Sequence, residues 1–325
     1  MTFTDDATRA SGLLAPSPVT PVRRRRRRRS ALGSRAAYAY ISPFFILFAA
    51  FSLYPLIFTA WVSLHQVDLE DVHHMTWVGF GNYSHLLHDS FFWNALKNTI
   101  TLGILSTVPQ LLIALGIAHL LNFRLRGRTF LRIAMLAPYA TSVAAATIVF
   151  AELFGRDYGL INYVLGLVGF HHVDWQNGRW TSQIAISFIV TWRWTGYNAL
   201  IYLAGMQAIP ADLYEAAVVD GASRWQQFRH VTIPALWPTI LFTIVVSTIG
   251  AMQLFGEPLL FSGNATTTGG VSHQYQTLAL LMYEQGWTNF HLGEAAATAW
   301  LMFLLILVVV GINVGLARRR NRVDS

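Results

Sequence analysis

Ala208-Ile209-Pro210-Ala211-Asp212-Leu213-Tyr214-Glu215-Ala216-Ala217-Val218-Val219-Asp220-Gly221-Ala222-Ser223-Arg224-Trp225-Gln226-Gln227-Phe228-Arg229-His230-Val231-Thr232-Ile233-Pro234 is the stretch from which the rest of the chain can be read. It is not a random polar connector. Pro210 suits the first turn of a helix, Asp212 complements that helix's positive end, and Gly221 supplies the left-handed residue that stops it. Ser223 is a good cap for a second helix, and Pro234 is expected to keep that helix from running into the next apolar segment. The pattern predicts a compact helix-turn-helix. Leu213, Ala217, Val218, Trp225 and Phe228 leave it with an apolar face that is expected to be covered. Ala216 and Ala217 permit close approach of another backbone, and Glu215 and Asp220 offer carboxylates to cationic groups. The competing reading is a loop folded back on its own bundle.

Outward from this stretch the chain is apolar. A helix needs about 20 apolar residues to cross the hydrocarbon of a bilayer, and such runs fall at 38–64, 96–121, 133–154, 184–203, 238–255 and 295–316. Of the 325 residues 54% are hydrophobic and 12% charged, too few charges for a soluble surface of that size. The expected fold class is an all-α integral membrane protein of six transmembrane helices with a helix-turn-helix on the cytoplasmic side. Pro43 and Pro55 should kink the first span, which is too long for a cleaved signal peptide. Three parts follow: residues 1–35 as a disordered arginine-rich tail, 36–318 as the membrane domain with its loop at 208–234, and 319–325 as a second tail.

Arginine sets the orientation, because cationic loops stay on the cytoplasmic side. Both termini inside gives the cytoplasm Arg9, the unbroken run 23–29, Arg35, Arg124, Arg126, Arg128, Arg132, Arg224, Arg229, Arg318, Arg319, Arg320 and Arg322, and leaves Lys97, Arg156 and Arg179 outside. The location expected is a plasma membrane, multi-pass. The net charge of +7 is accounted for by this topology and by lipid contact at the anionic inner leaflet, with no nucleic-acid partner.

Other chemistries are poorly supported. Lys97, the single lysine, follows Asn94-Ala95-Leu96 rather than a glycine-rich loop, so the chain lacks a Walker-type phosphate loop. Cysteine is absent, which removes thiolate sites and disulfides. The pairs His73-His74 and His171-His172 point their side chains apart on any regular element, so no metal site is assigned. Glu152 and Asp157 flank Arg156, where an ion pair is expected in place of acid-base catalysis. No catalytic residue is assigned.

Two spans carry polar and aromatic residues of the kind that line a small-molecule site in a mostly apolar cavity. Trp192-Arg193-Trp194-Thr195-Gly196-Tyr197-Asn198 lies near the middle of the fourth span, and Ser247-Thr248-Ile249-Gly250-Ala251-Met252-Gln253 closes the fifth. Aromatic faces hold the C–H surfaces of a sugar, and amides and hydroxyls hold its rim. Trp194, Tyr197, Asn198 and Gln253 are the candidate contacts. A lone intramembrane arginine is costly and demands a partner; in a purely structural reading Trp192 and Trp194 pack between helices and Arg193 reaches a carbonyl or a carboxylate such as Glu257.

Glu215-Ala216-Ala217, three residues, Gly221, nine residues, then Val231-Thr232-Ile233-Pro234 resembles the EAA loop of binding-protein-dependent ABC importer permeases. Val231 and Ile233 stand where the family has Ile and Leu, exchanges between aliphatics. Val78-Gly79-Phe80-Gly81-Asn82-Tyr83 and the approach 203–210 are similar to the carbohydrate branch, the maltose and glycerol-phosphate type. The resemblance covers the chain from about Tyr38 onward. It implies a coupling loop in which Glu215, Ala216, Ala217, Asp220, Gly221, Arg224 and Pro234 dock on a cytoplasmic ATPase. It further implies two ATPase copies carrying ATP and Mg, a second homologous permease and an extracytoplasmic sugar-binding protein, with no cofactor on this chain. In the maltose-type permease the binding residues lie on the spans flanking the loop, which implies Tyr197, Gly250 and Gln253 for the substrate path; the cargo implied is a disaccharide or oligosaccharide, with glycerol phosphate, another polyol, and a secondary ion-coupled transporter as the alternatives. Acidic residues gathered at span ends weigh against the last.

Overall fold

A computed structural model describes residues 31–123, 126–262 and 267–323. Most of the expected first tail, Arg124 and the last two residues of the second tail lie outside this range. The chain divides at Pro55 into two compact units. In the first, helix α1 (Ala31–Phe48) carries Pro43 and passes through a π-helical turn at Ala49–Leu53. Helix α2 (Tyr54–Val62) continues from it. Tyr40, Phe44, Ile46 and Phe51 are exposed, as suits side chains that meet lipid.

The second unit begins within α2, at Leu56, and continues into a hairpin. Strand β1 (His65–Asp68) pairs antiparallel with β2 (Asp71–Trp77), His65 opposite Trp77. Asn82, buried on helix α3 (Gly81–His88), donates to the carbonyls of Ser63 and His65 at 2.9 Å each and so fixes the hairpin to the bundle. Tyr83 and Leu86 of α3 face the core and Leu87 stays exposed.

The centre of the unit is a long helix pair. Asp89 caps α4 (Ser90–Asn122) by accepting from the Phe91 amide at 2.9 Å. After α5 (Arg128–Ala140), α6 (Val143–Leu153) and α7 (Leu160–Leu167) comes α8 (Arg179–Gln207). Ala114 and Ala118 of α4 share a buried cluster with Ala199, Tyr202 and Met206 of α8, and the three alanines let the two axes approach.

The expected third span is not straight. α5 and α6 meet at a bend of 90° across Thr141 and Ser142, where the Thr141 hydroxyl donates to the Pro138 carbonyl at 2.6 Å. A hydropathy window sees composition but not direction, so two half-helices at a right angle read as one. Among the described residues four helical runs are long and apolar enough to cross a membrane, or five if the bent pair counts once. α8 falls outside that group although it has 29 residues, because Gln183, Arg193, Asn198 and their polar neighbours lower its hydropathy.

The remaining elements are α9 (Ala211–Val219), α10 (Arg224–Gln227), α11 (Ile233–Met252), α12 (Gly256–Leu260), α13 (Leu278–Tyr283) and α14 (Leu292–Val323). Pro234 does not stop the helix that begins at Ser223. Arg224 to Leu260 counts as one run, with a π-helical turn at Phe228–Thr232 just before the proline. The wider turn takes up the missing N–H and gives the ring room. The π turn ahead of Pro55 stands at the same offset and has the same cause.

Candidate functional site

Five residues chosen from two spans line a single cavity. Trp194, Tyr197 and Asn198 of α8 and Gly250 and Gln253 at the end of α11 surround about 270 Å³ together with Ser106, Thr107 and Gln110 of α4 and Ser247 of α11. The α4 contribution was missed from the sequence. Gln110 donates across the cavity wall to Ser247 at 3.4 Å, and Thr191 donates to the Ser106 carbonyl at 3.2 Å, so α4 is tied to both other walls.

The aromatic wall is braced from behind. Tyr139 of α5 stacks on Tyr197 with ring centres 4.8 Å apart and meets Trp194 edge-on at 5.1 Å. α5 reaches this position because Gly196 has no side chain: a Cβ there would lie 1.8 Å from the Met135 carbonyl oxygen. Gly250, by contrast, has nothing within 4 Å of its Cβ direction and opens the cavity. Among the described residues none hydrogen-bonds the Gln253 side-chain amide, the Tyr197 hydroxyl or the Trp194 indole N–H. Groups that can bond a hydroxylated guest are therefore free, and no lining residue is charged.

Arg193 does not enter the cavity. It is buried, and its Nη1 donates to Glu257 Oε1 of α12 at 2.7 Å. This is the paired arrangement considered for a lone arginine in a span, and it joins α8 to the segment that follows α11. Arg156 pairs with Asp174 at 3.5 Å and not with its neighbours Glu152 and Asp157. Burial opposes ionisation of Asp174, but bonds from the Asn177 side chain, the Asn177 and Gln176 amides and the Arg156 charge together hold its carboxyl below the ordinary value.

At the other end of α8 the predicted helix and turn are present, although the second helix runs on through the π turn into α11. Gly221 sits at φ +79 and closes α9: the Ala222 amide donates to the Ala217 carbonyl at 2.9 Å and the Gly221 amide to that of Val218 at 3.0 Å, a Schellman motif. Ser223 caps α10 reciprocally with Gln226, the Ser223 amide donating to Gln226 Oε1 at 2.7 Å. Glu215, Ala216 and Asp220 are exposed, Ala217 is half-buried, and neither carboxylate has an ion partner among the described residues. Arg224 lies over the Phe123 ring at 5.6 Å, and Pro234 is exposed.

The apolar face is smaller than expected. Leu213, Val218 and Trp225 are exposed, but Phe228 is buried against Ala118 and Leu121 and meets His119 at 4.4 Å. The π-helical turn rotates it inward, and Tyr214 fixes α9 beside it through Thr232 at 2.9 Å. The turn is thus rooted in the bundle at one side and open at the other.

Residues 110–322 match the family described as binding-protein-dependent transport system inner membrane component. The chain belongs to that family. This inner membrane component is 35% identical over 274 residues to the arabinooligosaccharides transport system permease protein of Halalkalibacterium halodurans, covering 84% of each chain. It is 30% identical to the trehalose/maltose transport system permease protein of Thermococcus litoralis, over 88% of this chain and 95% of that one. Its fold matches a chain in the crystal structure of a bacterial ABC transporter involved in the import of the acidic polysaccharide alginate, with TM-score 0.74 and 23% identity over 89% of this chain and 96% of that one. Its relatives are permease subunits of transport systems, in keeping with a chain to which no catalytic group was assigned.

Proposed function

We propose that the chain is the pore-forming subunit of an ATP-driven importer and that the cavity between α4, α8 and α11 passes a neutral disaccharide or oligosaccharide into the cytoplasm. The observation that carries the reading is the cavity itself: Trp194 and Tyr197 on one wall, free amide and hydroxyl groups on the others, no charge. A phosphorylated cargo would need a cation there, and Arg193 is spent on Glu257. The sugars named for the two relatives support the same class.

In this reading six crossings leave both termini in the cytoplasm. The α9–α10 turn docks on a separate ATPase through Glu215, Ala216, Ala217, Asp220, Gly221 and Arg224, while Pro234 and its π turn pass the motion to α11. Two ATPase copies holding ATP and Mg, a second permease and an extracytoplasmic sugar-binding protein complete the assembly. The test uses right-side-out vesicles loaded with ATP. Uptake of an oligosaccharide delivered by the binding protein should persist when ionophores collapse ion gradients and stop when ATP is withheld. Uptake that fails with the ionophore while ATP remains would mean an ion-coupled carrier.

A further inference from the structure

The first turn of α5 brings Arg128 and Arg132, four residues apart and so on one helical face, against Gln207 at the end of α8. With the Gln207 amide oriented so that its oxygen faces them, it accepts from Arg132 Nη2 at 2.8 Å and from Arg128 Nη2. Two cations share one neutral acceptor. The Nε atoms of both arginines are buried without a hydrogen-bond partner. Among the described residues no carboxylate forms an ion pair with either arginine. Gly127, the residue before α5, is in the left-handed region and provides no side-chain cap, so the first amides of the helix add positive potential at the same place. Adjacent guanidinium groups with unused donors repel each other unless an anion lies between them.

The surroundings say which kind of anion. Along α5 from this turn Phe130 is 73% exposed and Ile133 65% exposed, and Leu136 is also exposed. A cationic turn at the end of a membrane helix, continued by bare apolar side chains, fits an amphiphile with an acidic head and acyl tails. A free anion would use the arginines and leave the apolar surface uncovered. We propose that Arg128 and Arg132 form the headgroup site of an anionic phospholipid, its phosphate held between the two guanidinium forks and its chains along the exposed side of α5. Arg128 and Arg132 are each half-buried, so the proposed phosphate engages the Nη ends of the two forks. The site has a structural consequence: α5 also bears the Met135 carbonyl packed on Gly196 and the Tyr139 ring behind Tyr197, so a lipid that seats its first turn steadies the aromatic wall of the cavity.

Native mass spectrometry of the full-length chain, purified with whatever subunits accompany it, tests the site with dioleoylphosphatidylglycerol, dioleoylphosphatidylcholine and inorganic phosphate as probes. The wild type should retain phosphatidylglycerol about tenfold over phosphatidylcholine. The double variant Arg128→Gln/Arg132→Gln should lose that preference, and Arg126→Gln, an exposed arginine outside the pair, should keep it. If the Gln pair does not fold, Arg128→Lys/Arg132→Lys keeps charge without the planar fork and should show reduced retention. Equal retention of the two lipids, or an unchanged preference in the folded double variants, overturns the proposal. Full displacement of the lipid by millimolar phosphate overturns it in favour of a soluble anion. Loss of an accompanying subunit with lipid retention unchanged overturns it in favour of a protein carboxylate.

Discussion

The cavity and the α9–α10 turn are built in opposite ways. Cavity residues are held on three helices by close contacts: Gly196 under the Met135 carbonyl, Tyr139 on Tyr197, Gln110 to Ser247. The turn is held by its own backbone, with a Schellman motif and a capping box, and presents unpaired carboxylates and a bare Trp225. Substitutions in the contacts that brace the cavity from behind should therefore damage the fold before they damage transport. Substitutions in the turn should leave the fold and damage coupling.

The largest effect is expected at the buried pair behind the cavity. Arg193→Leu leaves Glu257 buried without its cation and should cost about 3–5 kcal/mol, seen as a fall in melting temperature in detergent; Arg193→Leu with Glu257→Leu should recover most of it. Gly196→Ala comes next, because its Cβ meets a backbone oxygen that cannot step aside; a loss of about 1–3 kcal/mol is expected, with Gly250→Ala near neutral as the matched control. Gln253→Ala should leave melting unchanged and weaken cargo handling by about tenfold, read as a higher half-saturation for uptake. A fold loss at Gln253 would break the distinction between the lining and its scaffold.

The smallest effect lies outside both regions. Asp174 holds the loop before α8 through Asn177, Gln176 and Arg156, and its carboxyl is depressed. A depressed carboxyl contributes stability that is present above the ordinary value of 3.8 and lost as pH falls through the folded value. Asp174→Asn should therefore melt slightly below wild type at neutral pH and converge with it as the pH drops beneath 3.8.

What was legible in the sequence follows the same division. The turn could be read nearly residue by residue, because Gly221 and Ser223 act on their immediate neighbours. Pro234 and Phe228 were misjudged because a π turn carries no simple sequence signal, and it both accommodates the proline and swings the ring inward. In the cavity, the α8 and α11 residues were visible as aromatic and amide residues inside spans. Ser106, Thr107 and Gln110 were overlooked in a long apolar helix, although Thr99, Ser106 and Gln110 recur at helical spacing and are all buried, a polar stripe that periodicity could have found. Tyr139 was out of reach, since its position depends on the close approach of α5 to Gly196, a long-range contact.

The central claim is that the α9–α10 turn transmits ATP-driven motion from a separate chain, and Gly221→Val tests it most directly. The glycine has open space around it and a left-handed backbone, so a β-branched residue disturbs the turn's shape and leaves bundle packing untouched. Uptake by ATP-loaded vesicles should fall to background while the melting temperature of the membrane domain stays within a few degrees of wild type. Undiminished uptake in vesicles carrying Gly221→Val would contradict the account.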